Sequence, residues 1–276
     1  MDSQGGRLSL RSALLFFTHP MHFLHSRTAA LSLLAALALS SGCQRAAYVA
    51  KPTLQPVTAQ PVGKTLADDP TALATIAPYR QRVTEQMTAV IGTAPSALVK
   101  SNGESPLANF VADLQRTRAS RELSQPIDLG VMSNGGLRAP LPAGQVTLGS
   151  VFELMPFENE LVVLDAPAAV VQQLFDYGAS VKMAFSGATY TVGPDGKATD
   201  IRIGNQPFNP AQNRVYTIAI SDYLAGGGDN MVFFKSIKPR GTGVLLRNAI
   251  ADQIRELTKQ GKPVEAKVEG RVKSNS

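Results

Sequence analysis

The sequence predicts an α+β domain in which helices flank a mixed α/β sheet. Helical and strand-like segments are mixed along the chain, and several strand-like segments follow one another after residue 185. One pair reads as a hairpin around the turn Pro194-Asp195-Gly196. With 276 residues, 44% of them hydrophobic, the chain is long enough for one domain of about 200 residues plus extensions. Such a mixture is typical of a single domain of packed helices and strands.

The helix starts are the clearest element boundaries. Asp69 and Pro70 form a cap and first turn, and an apolar helical pattern continues to residue 90 with a bend expected at Pro78. Pro106 opens a second helix with an apolar stripe through Leu114. The other predicted elements are strands at 97–99 and 127–132, a helix at 146–154, a strand at 160–164, a helix at 167–177, strands at 188–192, 199–203 and 215–220, a helix at 244–257 and a strand at 264–272.

Two short polar runs interrupt this pattern. Ser133-Asn134-Gly135-Gly136-Leu137-Arg138 follows an apolar strand, and its glycines let the backbone turn sharply or approach a ligand closely. The arginine beyond the turn offers a fork of donors suited to a carboxylate or phosphate. In Met155-Pro156-Phe157-Glu158-Asn159, a proline stiffens a bend and an aromatic ring precedes a strand. Charge at one end and a stacking surface at the other suit a nucleotide, whereas the alternative is an ordinary turn with a core phenylalanine.

The N-terminal residues read as an export signal. The apolar run 29–39 is too short for a bilayer, which takes roughly 20 residues, and it lies between Arg27 and a stretch of small residues. Cys43 follows directly and is the chain's single cysteine. This order resembles a bacterial lipoprotein signal, although Ser40 stands where a leucine is preferred. We therefore expect a signal peptide over 1–42, a lipidated Cys43 and a flexible tether over 43–64, with Met21 as an alternative start.

These expectations place the domain outside the cytoplasm, held to the cell envelope of a bacterium on its periplasmic or cell-surface side. Ordinary cleavage with an incidental cysteine is the alternative. All three histidines lie within residues 1–42. Beyond residue 42 the chain keeps 24 of its 27 basic and 20 of its 21 acidic residues. That mild positive balance has no Lys/Arg runs, so we expect an anionic small molecule as ligand and no nucleic acid.

From about residue 65 to 273 the chain resembles the C-terminal, substrate-binding domain of the 5′-nucleotidase family. The resemblance rests on five blocks in the family's order. They are Glu104–Asp113, Ser133–Arg138, Pro156–Asn159, Phe185–Gly187 and Asp222–Asp229. It implies that domain's α+β fold and a nucleoside- or nucleotide-binding site.

The resemblance also implies a role for each site residue. Arg138 corresponds to a phosphate-binding arginine, and Phe157 and Tyr223 correspond to the two aromatics that sandwich the base. Asp229 matches the acid that accepts hydrogen bonds from the ribose hydroxyls. A surface arginine, two core rings and a turn aspartate are the alternatives from the residues alone.

Asn159 belongs to the Pro-Phe-x-Asn turn and completes the expected substrate-binding set with Ser133 and Asn134. Two positions depart from the family's pattern. Ser133 stands where many members carry an asparagine, with Asn134 one place along. Ser101 stands where several members carry a second phosphate-binding arginine, next to Lys100.

The resemblance covers only the substrate-binding half of that family. Full-length members carry a metallophosphoesterase domain with two metal ions, which activate water and neutralise phosphoryl charge. Its motifs are absent from this sequence, so we expect no cofactor and no catalytic or metal-ligating residue here. Divalent metals would belong to a separate metallophosphoesterase acting in trans on nucleotides. The alternatives are a binding protein without a catalytic role and a self-sufficient 5′-nucleotidase with an unrecognised site.

Overall fold

The structure is a computed structural model that describes Gly63 and residues 67–274. The part from residue 67 belongs to one compact unit, Ala67–Ser276. The signal peptide, Cys43 and, apart from Gly63, the tether lie outside the described residues.

Helices and strands are mixed along the unit, and several strands follow one another after residue 185, as the sequence predicts. The helices are α1 (Pro70–Met87), α2 (Pro106–Glu122), α3 (Leu148–Leu154), α4 (Ala168–Val181), α5 (Asp222–Ala225) and α6 (Leu246–Lys259). The strands are β1 (Val90–Ala94), β2 (Leu129–Val131), β3 (Gly144–Thr147), β4 (Glu160–Pro167), β5 (Phe185–Ser186), β6 (Ala188–Val192), β7 (Ala198–Ile203), β8 (Gln206–Pro207), β9 (Val215–Ser221), β10 (Arg240–Leu245) and β11 (Val272–Ser274).

The central sheet has five strands in the order β10-β4-β9-β2-β5. β2 is parallel to β9, and the other pairings are antiparallel. The carboxyl ends of β2 and β9 therefore meet the amino end of β4 at one end of the sheet. A second sheet, β11-β6-β7-β8, and the pair β1-β3 complete the unit. This mixed α/β architecture with flanking helices confirms the predicted fold class.

Apolar packing joins the helices to the sheets. One cluster packs α4 against both larger sheets, with Phe175 and Phe185 in edge-to-face contact at 4.9 Å between ring centroids. A second cluster joins α2, α3 and α6 around the pair β1-β3. The helix starts follow from local chemistry, since Asp69 and Ser105 accept hydrogen bonds from first-turn N–H groups of α1 and α2.

Several elements differ from the sequence-based expectation, and the short strands β1, β3, β5 and β8 were not predicted. β10 was not predicted, because Gly241 and Gly243 weaken its strand character and only pairing with β4 organises it. The expected strand at 97–99 is reduced to one bridge between Leu98 and Leu141. The last strand lies at Val272–Ser274, since Val264 instead donates a single N–H to the Thr93 carbonyl. Among the described residues, no helix is long and apolar enough to cross a membrane.

Candidate functional site

Three loops meet at the end of the central sheet where β2 and β9 finish and β4 begins. The glycine turn 133–138 follows β2, and the turn 155–159 precedes β4. The third loop, 222–229, follows β9, whose last residue Ser221 pairs with Leu161 of β4. Segments far apart in sequence are thus neighbours because of strand order.

These loops enclose a cavity of about 310 Å³. It is lined by Gly135, Gly136, Arg138, Phe157, Asn159, Tyr223 and Asp229. Five of the seven predicted substrate-binding residues therefore lie on one cavity. The two aromatic rings are unusually exposed for their size, with 39% of Phe157 and 54% of Tyr223 accessible. Exposed rings beside a cavity are available to a ligand.

Arg138 lies at the cavity wall beside Phe157. Its guanidinium carbon is 5.9 Å from the centroid of the Phe157 ring, within cation–π range. One Nη donates to the Gly135 carbonyl at 3.3 Å, and the backbone N–H donates to the Leu154 carbonyl at 2.9 Å. Within the described part of the chain no carboxylate lies within 4.0 Å of this guanidinium. Its remaining N–H donors can bind an anion.

Tyr223 and Asp229 are linked across the glycine-rich turn. The Tyr223 hydroxyl donates to Asp229 Oδ1 at 3.2 Å, and the Asp229 N–H donates back to that hydroxyl at 3.4 Å. The ring lies against Gly228, where a Cβ would be only 2.5 Å from Tyr223 Cε1. The absence of a side chain at Gly228 therefore leaves room for the ring to pack against the turn.

Gly135 places the first turn against the same carboxylate. A Cβ at this position would be 3.0 Å from Asp229 Oδ2, so the bare backbone of the turn touches the second carboxylate oxygen. One oxygen of Asp229 is thus occupied by Tyr223, and the other lies at the cavity wall. A carboxylate in this position can accept hydrogen bonds from hydroxyl groups of a ligand.

Helix α6 supports the loop that carries Phe157 and Asn159. The Leu246 N–H donates to the Asn159 carbonyl at 2.8 Å. Arg247 is buried, with its guanidinium carbon 4.2 Å from the centroid of the Phe152 ring. It donates to the Phe157 carbonyl at 3.4 Å and to Glu158 Oε1 at 3.1 Å. Sequence reasoning missed Arg247, and an arginine early in an amphipathic helix carries no signal of such a contact.

Ser133 and Asn134 do not line this cavity. Ser133 is buried, and the Asn134 amide donates to the Ser101 carbonyl at 2.9 Å. Both line an adjoining cavity of about 230 Å³, which shares Gly135 and Asp229 with the first. Lys100 stabilises the same turn, because its ammonium donates to the Leu137 carbonyl at 2.7 Å.

Tyr177 is a second residue that the sequence did not single out. It lines the adjoining cavity, and burial raises the pKa of its hydroxyl, with further contributions from the charges of Asp229 and Tyr223. Like any tyrosine, it is protonated at neutral pH and can donate a hydrogen bond. Its position on α4 gave no sign of this placement, because an aromatic residue on a helix is ordinarily a core residue.

The described residues contain no group of three or more His, Cys, Asp or Glu side chains that could hold a metal ion. The donor set around the cavity is one carboxylate, one amide, one phenol and one guanidinium. That set suits hydrogen bonding and stacking, and it does not fit a two-metal centre.

Comparison with known proteins finds relatives that match most of this chain. Among curated proteins, the silent protein UshA(0) of Salmonella typhimurium is 28% identical over 211 residues. A 5′-nucleotidase of Vibrio vulnificus is 28% identical over 178 residues. The alignments cover 73% and 59% of this chain but only 36% and 30% of those proteins, so the chain spans about a third of their length.

Solved structures also match most of this chain and less than half of the matched protein. The crystal structure of a 5′-nucleotidase precursor from Thermus thermophilus superposes with a TM-score of 0.62 at 26% identity, over 75% of this chain and 43% of that one. The family model described as the 5′-nucleotidase, C-terminal domain matches residues 84–236, more than half of the chain and all three loops of the cavity. The chain therefore belongs to the family of 5′-nucleotidase C-terminal domains.

Proposed function

We propose that the cavity binds a nucleoside or nucleotide. The observation that carries this proposal is the convergence on a single cavity of two exposed rings, one carboxylate and one guanidinium that is unpaired among the described residues. The base lies between Phe157 and Tyr223, and base-on-aromatic stacking contributes about 1–3 kcal/mol per base. Arg138 holds the phosphate, and Asp229 accepts hydrogen bonds from the ribose hydroxyls. Asn159 contributes a polar contact at the cavity wall.

We further propose that this binding serves the dephosphorylation of nucleotides. The family supports this role, because relatives from Vibrio vulnificus and Thermus thermophilus are named 5′-nucleotidases. Since the described residues offer no metal centre, the proposal assigns catalysis to a separate metallophosphoesterase that brings its own divalent ions. An exported chain held to the envelope through Cys43 would meet extracytoplasmic nucleotides.

The binding proposal is tested by titrating adenosine and AMP into the purified chain. Phe157→Ala should weaken both ligands by about tenfold or more, because both lose a stacking surface. Arg138→Ala should weaken AMP by a similar factor and leave adenosine within about twofold, because a charge-assisted contact to phosphate is lost. Tyr79→Ala and Arg80→Ala on α1 are matched exposed controls and should change neither affinity. Equal loss of both ligands in Arg138→Ala would contradict the phosphate role.

The catalytic arrangement is tested by phosphate release from AMP. The chain alone should release none above the background, and adding a single-domain metallophosphoesterase from the same genome should produce release that falls with Arg138→Ala. Release by the chain alone that Arg138→Ala abolishes would favour a self-sufficient nucleotidase. Binding of AMP with no effect on any such phosphoesterase would favour a binding protein without a catalytic role.

A further inference from the structure

A groove lies at one end of the central sheet. The cavity proposed to bind a nucleoside, called the nucleoside cavity below, lies at the opposite end. Strand β5 runs antiparallel to β2, so Gly187 at its end lies beside the start of β2, against the Asp128 carbonyl. The groove has a volume of about 480 Å³ and shares no lining residue with the nucleoside cavity. Its charged lining residues are Arg116, Arg202, Arg271, Asp113 and Glu269.

Two of these arginines have no carboxylate partner among residues 67–274. Arg116 donates through Nε to the Ser186 hydroxyl at 2.9 Å, and Arg202 donates through one Nη to the Asn205 carbonyl at 2.6 Å. Within the described part of the chain, neither guanidinium has an Asp or Glu oxygen within 4.0 Å. Both retain N–H donors that no described residue uses.

The sheet brings these two guanidinium groups to the same face. Arg202 of β7 pairs with Thr189 of β6, so these two side chains share one face of the sheet, and Gly187 directly precedes β6. Because Gly187 has no side chain, Arg116 from α2 lies over it, with Nη1 only 3.3 Å from where a Cβ would be. Two like charges converging on one groove repel each other, and an anion between them removes that repulsion.

The other side of the groove has the opposite charge. Arg271 is only 8% exposed, and its guanidinium donates to both oxygens of Asp113 and to Glu269 Oε2, at distances of 2.7–3.0 Å. Two carboxylates on one guanidinium leave one negative charge, and both carboxylates remain 47% exposed. Arg271 directly precedes Val272, which pairs with Tyr190, so Arg271 lies beside Thr189 on one side and Arg202 lies beside it on the other. The backbones of Arg271 and Arg202 are therefore two strand spacings, or about 10 Å, apart.

We propose that this groove binds a phosphorylated amine. The phosphate lies between Arg116 and Arg202 and accepts hydrogen bonds from both guanidinium groups and from the Thr189 hydroxyl. The ammonium lies against the half-exposed carboxylates of Asp113 and Glu269. A ligand with a second anionic group is disfavoured, because that group would face the carboxylates. Phosphoethanolamine has this chemistry, both as a free compound and as the headgroup of a phospholipid.

Calorimetric titration of the purified full chain with phosphoethanolamine tests the proposal. Saturable binding is expected, weakened about tenfold or more by Arg202→Gln and by Arg116→Gln. Arg202 is exposed, so its variant keeps the test valid if the Arg116 variant does not fold. Glu269→Gln should weaken phosphoethanolamine but not inorganic phosphate. The matched control Arg255→Gln should change neither.

Absence of saturable binding at millimolar phosphoethanolamine, or binding that survives both arginine substitutions, would overturn the proposal. Arg138→Ala should leave phosphoethanolamine binding unchanged, so this test and that of the nucleoside cavity fail independently. Vesicles distinguish the two sources of the ligand. Retention of the chain by phosphatidylethanolamine vesicles, but not by phosphatidylcholine vesicles, with loss of retention in Arg202→Gln, would assign the lipid headgroup. Binding of the free compound without such retention would assign the soluble one.

Discussion

Asp229 holds its carboxylate in place through a backbone conformation that most residues avoid. Its φ of 49° and ψ of 34° lie in the left-handed region, which is unfavourable for a non-glycine residue. The link to Tyr223 and the contact with Gly135 offset that cost by holding both carboxylate oxygens. Strain retained at a cavity wall is typical of functional positions, and it is consistent with a role in ligand binding.

The ribose contact proposed for Asp229 predicts that its loss reduces discrimination between ligands rather than all binding. The unmodified chain should bind adenosine about tenfold or more tightly than 2′,3′-dideoxyadenosine, because hydrogen bonds to a charged acceptor contribute about 1.5–3 kcal/mol. Asp229→Asn removes the charge, and asparagine tolerates the left-handed conformation. In this variant the ratio of the two dissociation constants should fall towards one. Equal binding of the two ligands by the unmodified chain would contradict the ribose contact.

At the scale of elements, glycines decide how closely α2 and the glycine turn approach their neighbours. Gly130 of β2 lies directly under α2, and a Cβ there would clash with the Ala112 carbonyl and lie 3.0 Å from Arg116 Cβ. Gly135 lies instead at the cavity wall, against Asp229. The first glycine therefore serves packing of the sheet, and the second serves the site.

Substituting each glycine by alanine should separate these roles. Gly130→Ala should lower the free energy of unfolding by about 1–3 kcal/mol through overpacking and leave adenosine affinity little changed in the folded protein. Gly135→Ala should change the unfolding free energy by less than about 0.5 kcal/mol, as a surface substitution, yet weaken adenosine by displacing the Asp229 carboxylate. Chemical denaturation and adenosine titration of both variants measure this. The reverse pattern would show that the packing argument is wrong.

At the scale of the whole molecule, the Glu104 carboxylate joins the start of α2 to the C-terminal segment. Its oxygens accept from the Asn109 amide and from the backbone N–H groups of Glu269 and Arg271, each at 2.8 Å. These partners are separated from Glu104 by up to 167 residues in sequence. Glu104 and the Arg271–Asp113 ion pair hold the C-terminal segment to α2, since β11 has only three residues.

Glu104→Ala should therefore destabilise the whole unit. Leaving these donors without their acceptor should cost about 2–3 kcal/mol, which lowers the melting temperature by about 5–10 °C for a domain of this size. Glu153→Ala, an exposed glutamate on α3, is the matched control and should have little effect. Thermal unfolding followed by circular dichroism measures both. A melting temperature unchanged in the Glu104 variant would exclude this role.

Local signals in the sequence were sufficient for the fold class and for most elements. Proline at a helix start, alternation in β6 and β7, and the amphipathic pattern of α6 all act within a few residues, so they can be recognised before folding. β10 escaped prediction, and the strand expected at 97–99 is only a bridge at Leu98, because the order of both segments depends on partners distant in sequence.

The residue types of the nucleoside cavity were determined by the sequence alone: a glycine turn with Arg138, two aromatic rings and an acid after a second glycine turn. Only the tertiary structure decided which of them share a wall. It brought Arg138, Phe157, Asn159, Tyr223 and Asp229 together and placed Ser133 and Asn134 on the adjoining cavity. It also placed Arg247 against the loop of Phe157 and Tyr177 on the adjoining cavity, and no motif marks either residue. The physical reason is that side-chain chemistry is encoded locally, whereas proximity depends on strand order and on helices packed from opposite ends of the chain.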